Sequence, residues 1–224
     1  MCAAKILQRS NDLATHFFRE SQNPALAEDV FKFRKRVLVD EYAWQLSVDG
    51  AIERDEFDTE QTIHCAIVRT GRLIGAFRAI RSDLPYLSAI KFPELAQSTP
   101  YPRNTLTWEI SRLTVAPGER RFDTSLMVYA AMFHFLQLKG GKSIVGFCDV
   151  AHQRLLERVG IETRPYGPAA QIGCDGMGRP LTVVAGEMPL PKSPSLRFRK
   201  LMSRIDNMEI YDDTSLLGHS SLSA

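Results

Sequence analysis

The segment from Leu126 to Leu138 is apolar nearly all round a helical wheel and holds the longest unbroken apolar run of the chain, Leu126 to Phe133. Such a helix has no polar face to give to water, so it must lie inside a core with other elements around it. Asp123 and Thr124 can cap its start, and Gly140-Gly141 stops it. The run is far short of the ~20 residues that span a bilayer, so its cover must come from the protein itself. At 224 residues the chain suits one domain, which at this size removes roughly 70 to 75% of its unfolded surface from water. An apolar share of 44% fills such a core without cross-links, and disorder of the whole chain is excluded.

Around that helix the expected cover is a sheet. Thr62 to Arg69 and Leu73 to Arg81 read as strands joined by Thr70-Gly71-Arg72, a hairpin turn. Leu106 to Val115, Ser143 to Asp149 and Leu181 to Met188 read as further strands, and Ala151 to Val159 as a short helix ending at Gly160. Residues 11 to 41 carry apolar positions near the helical period, interrupted at Asn23-Pro24, which predicts two short helices in tandem. Between Tyr42 and Asp58 the pattern gives way to an acidic loop with single aromatics. The fold class expected is α+β, an α/β sandwich with helices on both faces of a mixed sheet. The composition changes after Pro189, which divides the chain into a domain of residues 1–189 and a tail, 190–224, of little core value.

Lys and Arg number 28 against 26 Asp and Glu, so no bulk positive field would hold a nucleic acid. Cys2, Cys65, Cys148 and Cys174 form no C-x-x-C pair and read as reduced thiols, with neither a disulfide framework nor a metal site. The start, MCAAKILQRSNDL, lacks the apolar region of a signal peptide. A soluble cytoplasmic protein is the expectation.

Charged residues inside the strands point to chemistry. Arg78 stands in the middle of Leu-Ile-Gly-Ala-Phe-Arg-Ala-Ile, where a guanidinium needs a carboxylate or a ligand. Glu109 and Arg112 interrupt the strand at Trp108-Glu109-Ile110-Ser111-Arg112. Alternation puts them on opposite faces unless a bulge realigns them. Glu53, Asp55 and Asp58 lie beside Trp44 and Phe57, a set suited to a cationic ligand and off the spacing of a calcium loop.

These residues, in order and spacing, resemble the acyl-homoserine lactone synthases, the bacterial autoinducer synthases. The match runs through Arg34, Trp44, Glu53-Arg-Asp55-Glu-Phe-Asp58, Gly75-Ala-Phe-Arg78, Pro85-Tyr-Leu, Phe92-Pro-Glu-Leu and Trp108-Glu109-Ile-Ser111-Arg112. The resemblance implies an N-acetyltransferase-like fold with a largely antiparallel sheet whose splayed strands admit the pantetheine arm of an acyl donor. It also implies a reaction. S-adenosylmethionine and an acyl thioester, on acyl carrier protein or coenzyme A, give an N-acyl-L-homoserine lactone, methylthioadenosine and the freed thiol, and no cofactor is permanently bound.

On that resemblance Arg34, Trp44, Asp55, Asp58, Arg78 and Phe92 take S-adenosylmethionine, acids facing its cations and an arginine its carboxylate. Glu109 is the base for the α-amine, with Arg112 and the Ser111 strand beside it supplying N–H donors for the oxyanion. Trp108, Met127, Phe147 and Cys148 line the acyl pocket. Lys139, Lys142, Arg154 and Arg158 are the expected docking face for an acidic carrier. Leu38 stands where the family usually has Phe, Ala43 where Gly is common, and Gly146-Phe147-Cys148 near the threonine of members that prefer 3-oxo chains. Two alternatives are an acetyltransferase-like enzyme acting on another amine, and a silent homologue that only binds acyl carrier protein.

Overall fold

The computed structural model describes residues 13–118 and 121–215; Cys2 and the start of the chain lie outside them. The chain opens with strand β1 (Leu13–Phe18), then helix α1 (Pro24–Arg34), which runs into a π-helical segment, Lys35–Glu41. Two-residue strands β2 (Val48–Asp49) and β3 (Ile52–Glu53) precede the long β4 (Ile63–Arg69) and β5 (Arg72–Arg81). A short helix α2 (Leu87–Lys91) leads to β6 (Thr107–Val115), α3 (Arg121–Leu138), β7 (Ser143–Asp149) and α4 (Val150–Arg158). Strands β8 (Arg164–Pro165), β9 (Ala170–Cys174) and β10 (Pro180–Pro189), helix α5 (Leu196–Met202) and β11 (Glu209–Asp212) complete it.

One sheet runs β11-β1-β4-β5-β6-β7-β10-β8, with β9 also on β10. The β1–β11 and β6–β7 pairs are parallel and the others antiparallel, the mixed, largely antiparallel sheet that was expected. At the β4–β5 turn Thr70 and Gly71 both have positive φ, 49° and 73°, the two-residue geometry whose twist matches that of the strands. Helix α3 is buried as its composition demands. Its Val128, Phe133 and Phe135 pack with Phe77, Trp108 and Phe198 on one face of the sheet. Helix α1 covers the other face, where Phe18, Val30, Phe31 and Ala76 meet.

Three sequence expectations need correction. Residues 13–18 are not the first of two tandem helices but a strand between β4 and β11. Phe17 serves the α3 side and Phe18 the α1 side, so this strand, covered on both faces, lacks the clean apolar–polar alternation by which strands are read. Asp123 sits in the first turn of α3, within the helix rather than capping it. The stretch from 190 to 215 is not a tail of little core value. Phe198, Leu201 and Met208 are buried in the main core, and β11 pairs with β1. Its Pro- and Ser-rich opening resembles a linker, while its partners are distant in sequence: α5 packs on α3 and β11 on β1. Among the described residues no helix is long and apolar enough to cross a membrane.

Candidate active site

The charged residues that interrupt the strands converge on the α1 face of the sheet. Their meeting depends on a bulge. Ala76 pairs with Thr114 but Arg78 with Ser111, so β6 carries an extra residue there, and Arg112 takes the left-handed conformation with φ of 53°. That conformation costs a non-glycine residue roughly 1–2 kcal/mol, and it lets Ser111 and Arg112, neighbours in a strand, both join the same cluster, Ser111 accepting from Arg78 and Arg112 donating to the acids. The bulge expected as the condition for joining Glu109 and Arg112 on one face is present.

Three arginines and three acids interlock. The Arg34 guanidinium donates to both oxygens of Asp58 (2.8 and 2.9 Å) and to Glu53 (2.5 Å). Arg112 donates to the other oxygen of Glu53 at 3.0 Å and to Asp55 at 2.6 Å. Arg78 reaches Asp55 with both terminal nitrogens, Asp58 at 3.1 Å and the Ser111 hydroxyl at 3.1 Å. Arg34, Arg78, Glu53 and Asp58 are buried; only the Asp55 and Arg112 side chains keep a small opening to solvent. Burial works against the charge of Asp58, but Arg34 and Arg78 outweigh it and hold the carboxyl well below the usual carboxylate range. With every charge matched, the cluster avoids the large cost of a lone buried ion. Arg78 thus has the carboxylate partners that its place in the strand requires.

Glu109 stands on the same face, opposite Ile80 in the ladder. It is fully buried, and α2 begins against it. The N–H groups of Leu87 and Ser88 donate to its two oxygens at 3.1 and 2.7 Å, and the Ser88 hydroxyl donates at 2.5 Å. Burial pushes its carboxyl above the ordinary range, and the Ser88 contacts and the charge of Arg78 work in the opposite direction. A carboxylate has about four lone-pair positions and three hydrogen bonds are seen, so capacity for one more proton contact is left.

Beside Glu109 the sheet opens. β6 and β7 pair from Thr107↔Ser143 only to Glu109↔Val145, although both strands run on. Beyond that point the β7 side of residues 111–113 has no ladder partner among the described pairs, so backbone donors there are available to a ligand. Phe92 lies on this side, its ring edge-on to Phe147 with centroids 4.9 Å apart. Trp44 is at the loop that leaves the π-helical segment and is 40% exposed. Its N–H donates to Leu38 at 2.9 Å. Cys148 is half-buried, with its thiol pushed up to about 12 by burial. Trp108 and Met127 are core residues of the α3 side, Trp108 in the paired part of the β6–β7 ladder and Met127 against Arg69, while Phe147 and Cys148 stand on β7 beyond the last β6–β7 pair.

Of the docking candidates, Lys142, Arg154 and Arg158 are exposed. Lys139 is not available: it is held by Asp212 at 2.7 Å and by Thr214. Glu53, Ser88 and His64 are site residues that sequence reasoning undervalued or missed. Glu53 read as one acid among several in a loop. Ser88 has no sequence signal beyond following Pro85-Tyr-Leu. His64 is buried behind the cluster, opposite Arg78 in the ladder, and burial lowers its imidazole to about 3.

A family model described as Autoinducer synthase matches residues 18–177. An acyl-homoserine-lactone synthase of Ralstonia solanacearum is 29% identical over 158 residues, covering 66% of this chain and 76% of the relative. An isovaleryl-homoserine lactone synthase of Bradyrhizobium diazoefficiens is 26% identical over 155 residues, covering 67% and 71%. Among solved structures, the CoA-dependent synthase BjaI with SAM and isopentyl-CoA superposes with a TM-score of 0.76 at 23% identity, covering 90% of this chain and 93% of that one. An N-acetyltransferase from Lactobacillus plantarum superposes at 0.55 with 17% identity, covering 80% and 99%.

Proposed function

The chain belongs to the autoinducer synthase family, and on that premise we propose that it makes an N-acyl-L-homoserine lactone from S-adenosylmethionine and an acyl thioester. The observation that carries the assignment of roles is the sorting of the charged cluster by depth. Arg34, Arg78, Glu53 and Asp58 are sealed and serve as scaffold. Asp55 and Arg112 form its open edge, one of each sign, as a ligand bearing an ammonium and a carboxylate requires. Trp44, on the loop that leaves the π-helical segment, takes the sulfonium end.

Glu109 takes the proton as the α-amine nitrogen attacks the thioester carbonyl carbon. Backbone N–H groups of residues 111–113 receive the oxyanion, and the C–S bond breaks to release the thiol. In the second step the substrate carboxylate oxygen attacks its own γ-carbon and the bond to the sulfonium sulfur breaks, so methylthioadenosine leaves as a neutral molecule. The protein's part in that step is to hold the chain folded. The opening between β6 and β7 receives the acyl arm, with Phe147 and Cys148 on β7 and Trp108 and Met127 on the α3 side as its proposed lining. The bound SAM and isopentyl-CoA of BjaI support this reading. Acyl carrier protein is the second candidate donor, taken on the face of Lys142, Arg154 and Arg158, and the reaction belongs to the bacterial cytoplasm.

The test is incubation of the protein with S-adenosylmethionine and a panel of carrier-protein and coenzyme A thioesters, read by mass spectrometry. Lactone and methylthioadenosine are expected in equal amounts; a folded protein that yields neither with any donor refutes the assignment. In the same assay Glu109→Gln should lower turnover by about 10²–10⁴-fold. It should also cost about 1–3 kcal/mol of stability, because a Gln amide turned toward the α2 N–H groups leaves a buried donor without an acceptor.

A further inference from the structure

The loop that carries Trp44 is held from an unexpected direction. Ala43, just before it, has a left-handed φ of 55°. Against its carbonyl lies Gly176, in the turn between β9 and β10. A Cβ built on Gly176 would stand 2.5 Å from the Ala43 Cβ and in conflict with the Ala43 carbonyl oxygen, so only glycine permits this approach. The turn is rigid in its own right. The Asp175 carboxylate accepts from the N–H groups of Met177 and Arg179, both at 2.9 Å, and from Arg179 Nε at 2.7 Å. The Asp175 N–H donates to the Arg179 carbonyl at 2.8 Å. A built turn with its bare backbone pressed on the residue before Trp44 is a device for holding that loop.

We propose that residues 175–178 act as a clasp that sets the height of the Trp44 loop, with Gly176 and Ala43 as matched positioning residues for the S-adenosylmethionine site. This rests on the placement of that ligand under Trp44 argued above. Gly176 touches no reacting atom. Its action passes through Ala43 to Trp44, so it governs how well the sulfonium substrate is held and leaves the acyl-transfer groups on β6 alone.

The experiment uses the full chain labelled with 5-fluorotryptophan, whose two tryptophans give two fluorine resonances, and steady-state kinetics with both substrates. Gly176→Ala should shift or broaden the Trp44 resonance and leave that of the buried Trp108 in place. It should raise KM for S-adenosylmethionine about tenfold or more, the scale of a small misplacement of a binding group. KM for the thioester and kcat at saturation should stay within about twofold of the unaltered chain. The Gly176→Ala Cβ also meets the Ala43 carbonyl oxygen, so Ala43→Gly, which removes only the opposing Cβ, should restore both readouts in part in the double variant. An unmoved Trp44 resonance or equal losses toward both substrates overturns the proposal. Should Gly176→Ala fail to fold, Asp175→Asn, which loosens the turn without adding an atom at the contact, decides by the same two readouts. If the unaltered chain neither binds nor turns over S-adenosylmethionine, the synthase assignment is what fails; the fluorine spectra still decide whether the turn positions Trp44.

Discussion

The Ser88 hydroxyl donates to Glu109, and a donor to a carboxylate favours its charged form. Removing it in Ser88→Ala therefore raises the Glu109 carboxyl further, and the base is in its working form only at higher pH. The acid limb of the kcat/KM profile should move upward, with little change on its plateau; a limb that stays in place removes Glu109 from the role of base. His64 makes a separate, structural prediction. Its imidazole sits near 3 in the folded protein because it is buried, against about 6.5 in an unfolded chain. A base lowered on folding is protonated first in the unfolded state, so its contribution is complete above about 6.5 and declines as pH falls toward 3. Asp58, lowered by Arg34, weakens the fold only below the unfolded carboxylate value of about 3.9. Between pH 6.5 and pH 5 His64 should thus contribute a loss of about 2 kcal/mol to stability measured by urea unfolding, the part of the pH dependence that His64→Phe removes; a pH dependence that the substitution leaves unchanged contradicts it.

At the level of elements, α5 and β11 do more than the sequence suggests. Phe198 meets Phe133 edge-on at 5.0 Å and is buried, so Phe198→Ala should cost about 3–5 kcal/mol, measured by thermal or denaturant unfolding. A loss under 1 kcal/mol would return the segment to the status of a tail. The elements legible in advance were those with strong local signatures: the hairpin at Thr70-Gly71, the all-round apolar α3, the strand β7 running into α4. The site was legible for a related reason. Arg78, Glu109 and Arg112 break apolar runs, and buried charge requires partners. β1 escaped because helices cover both its faces, which leaves no alternation to read, and β11 because its pairing partner, β1, is distant in sequence. Ser88 and Gly176 escaped because their importance is a contact, not a composition.

For the whole molecule, the near balance of charge conceals an uneven distribution. The arginines and acids of the cluster cancel one another inside the protein, while Arg154 and Arg158 lie exposed on α4, which starts where β7 ends beside the opening to β6. If an acidic carrier delivers the acyl chain there, charge reversal at both arginines should raise KM for the carrier-borne thioester about tenfold. A thioester of a small neutral thiol should be used as before; an unchanged KM for the carrier form would place its docking elsewhere. The sheet has its own asymmetry. β1 enters the structure first, yet one of its edges is paired only by β11, among the last residues described. During synthesis that edge stands open, its row of N–H and C=O groups offered to any extended strand nearby, until residues 209–212 have left the ribosome. Chains cut short before residue 209 should therefore adhere to one another through β1, an association that β11 prevents by taking the edge for itself.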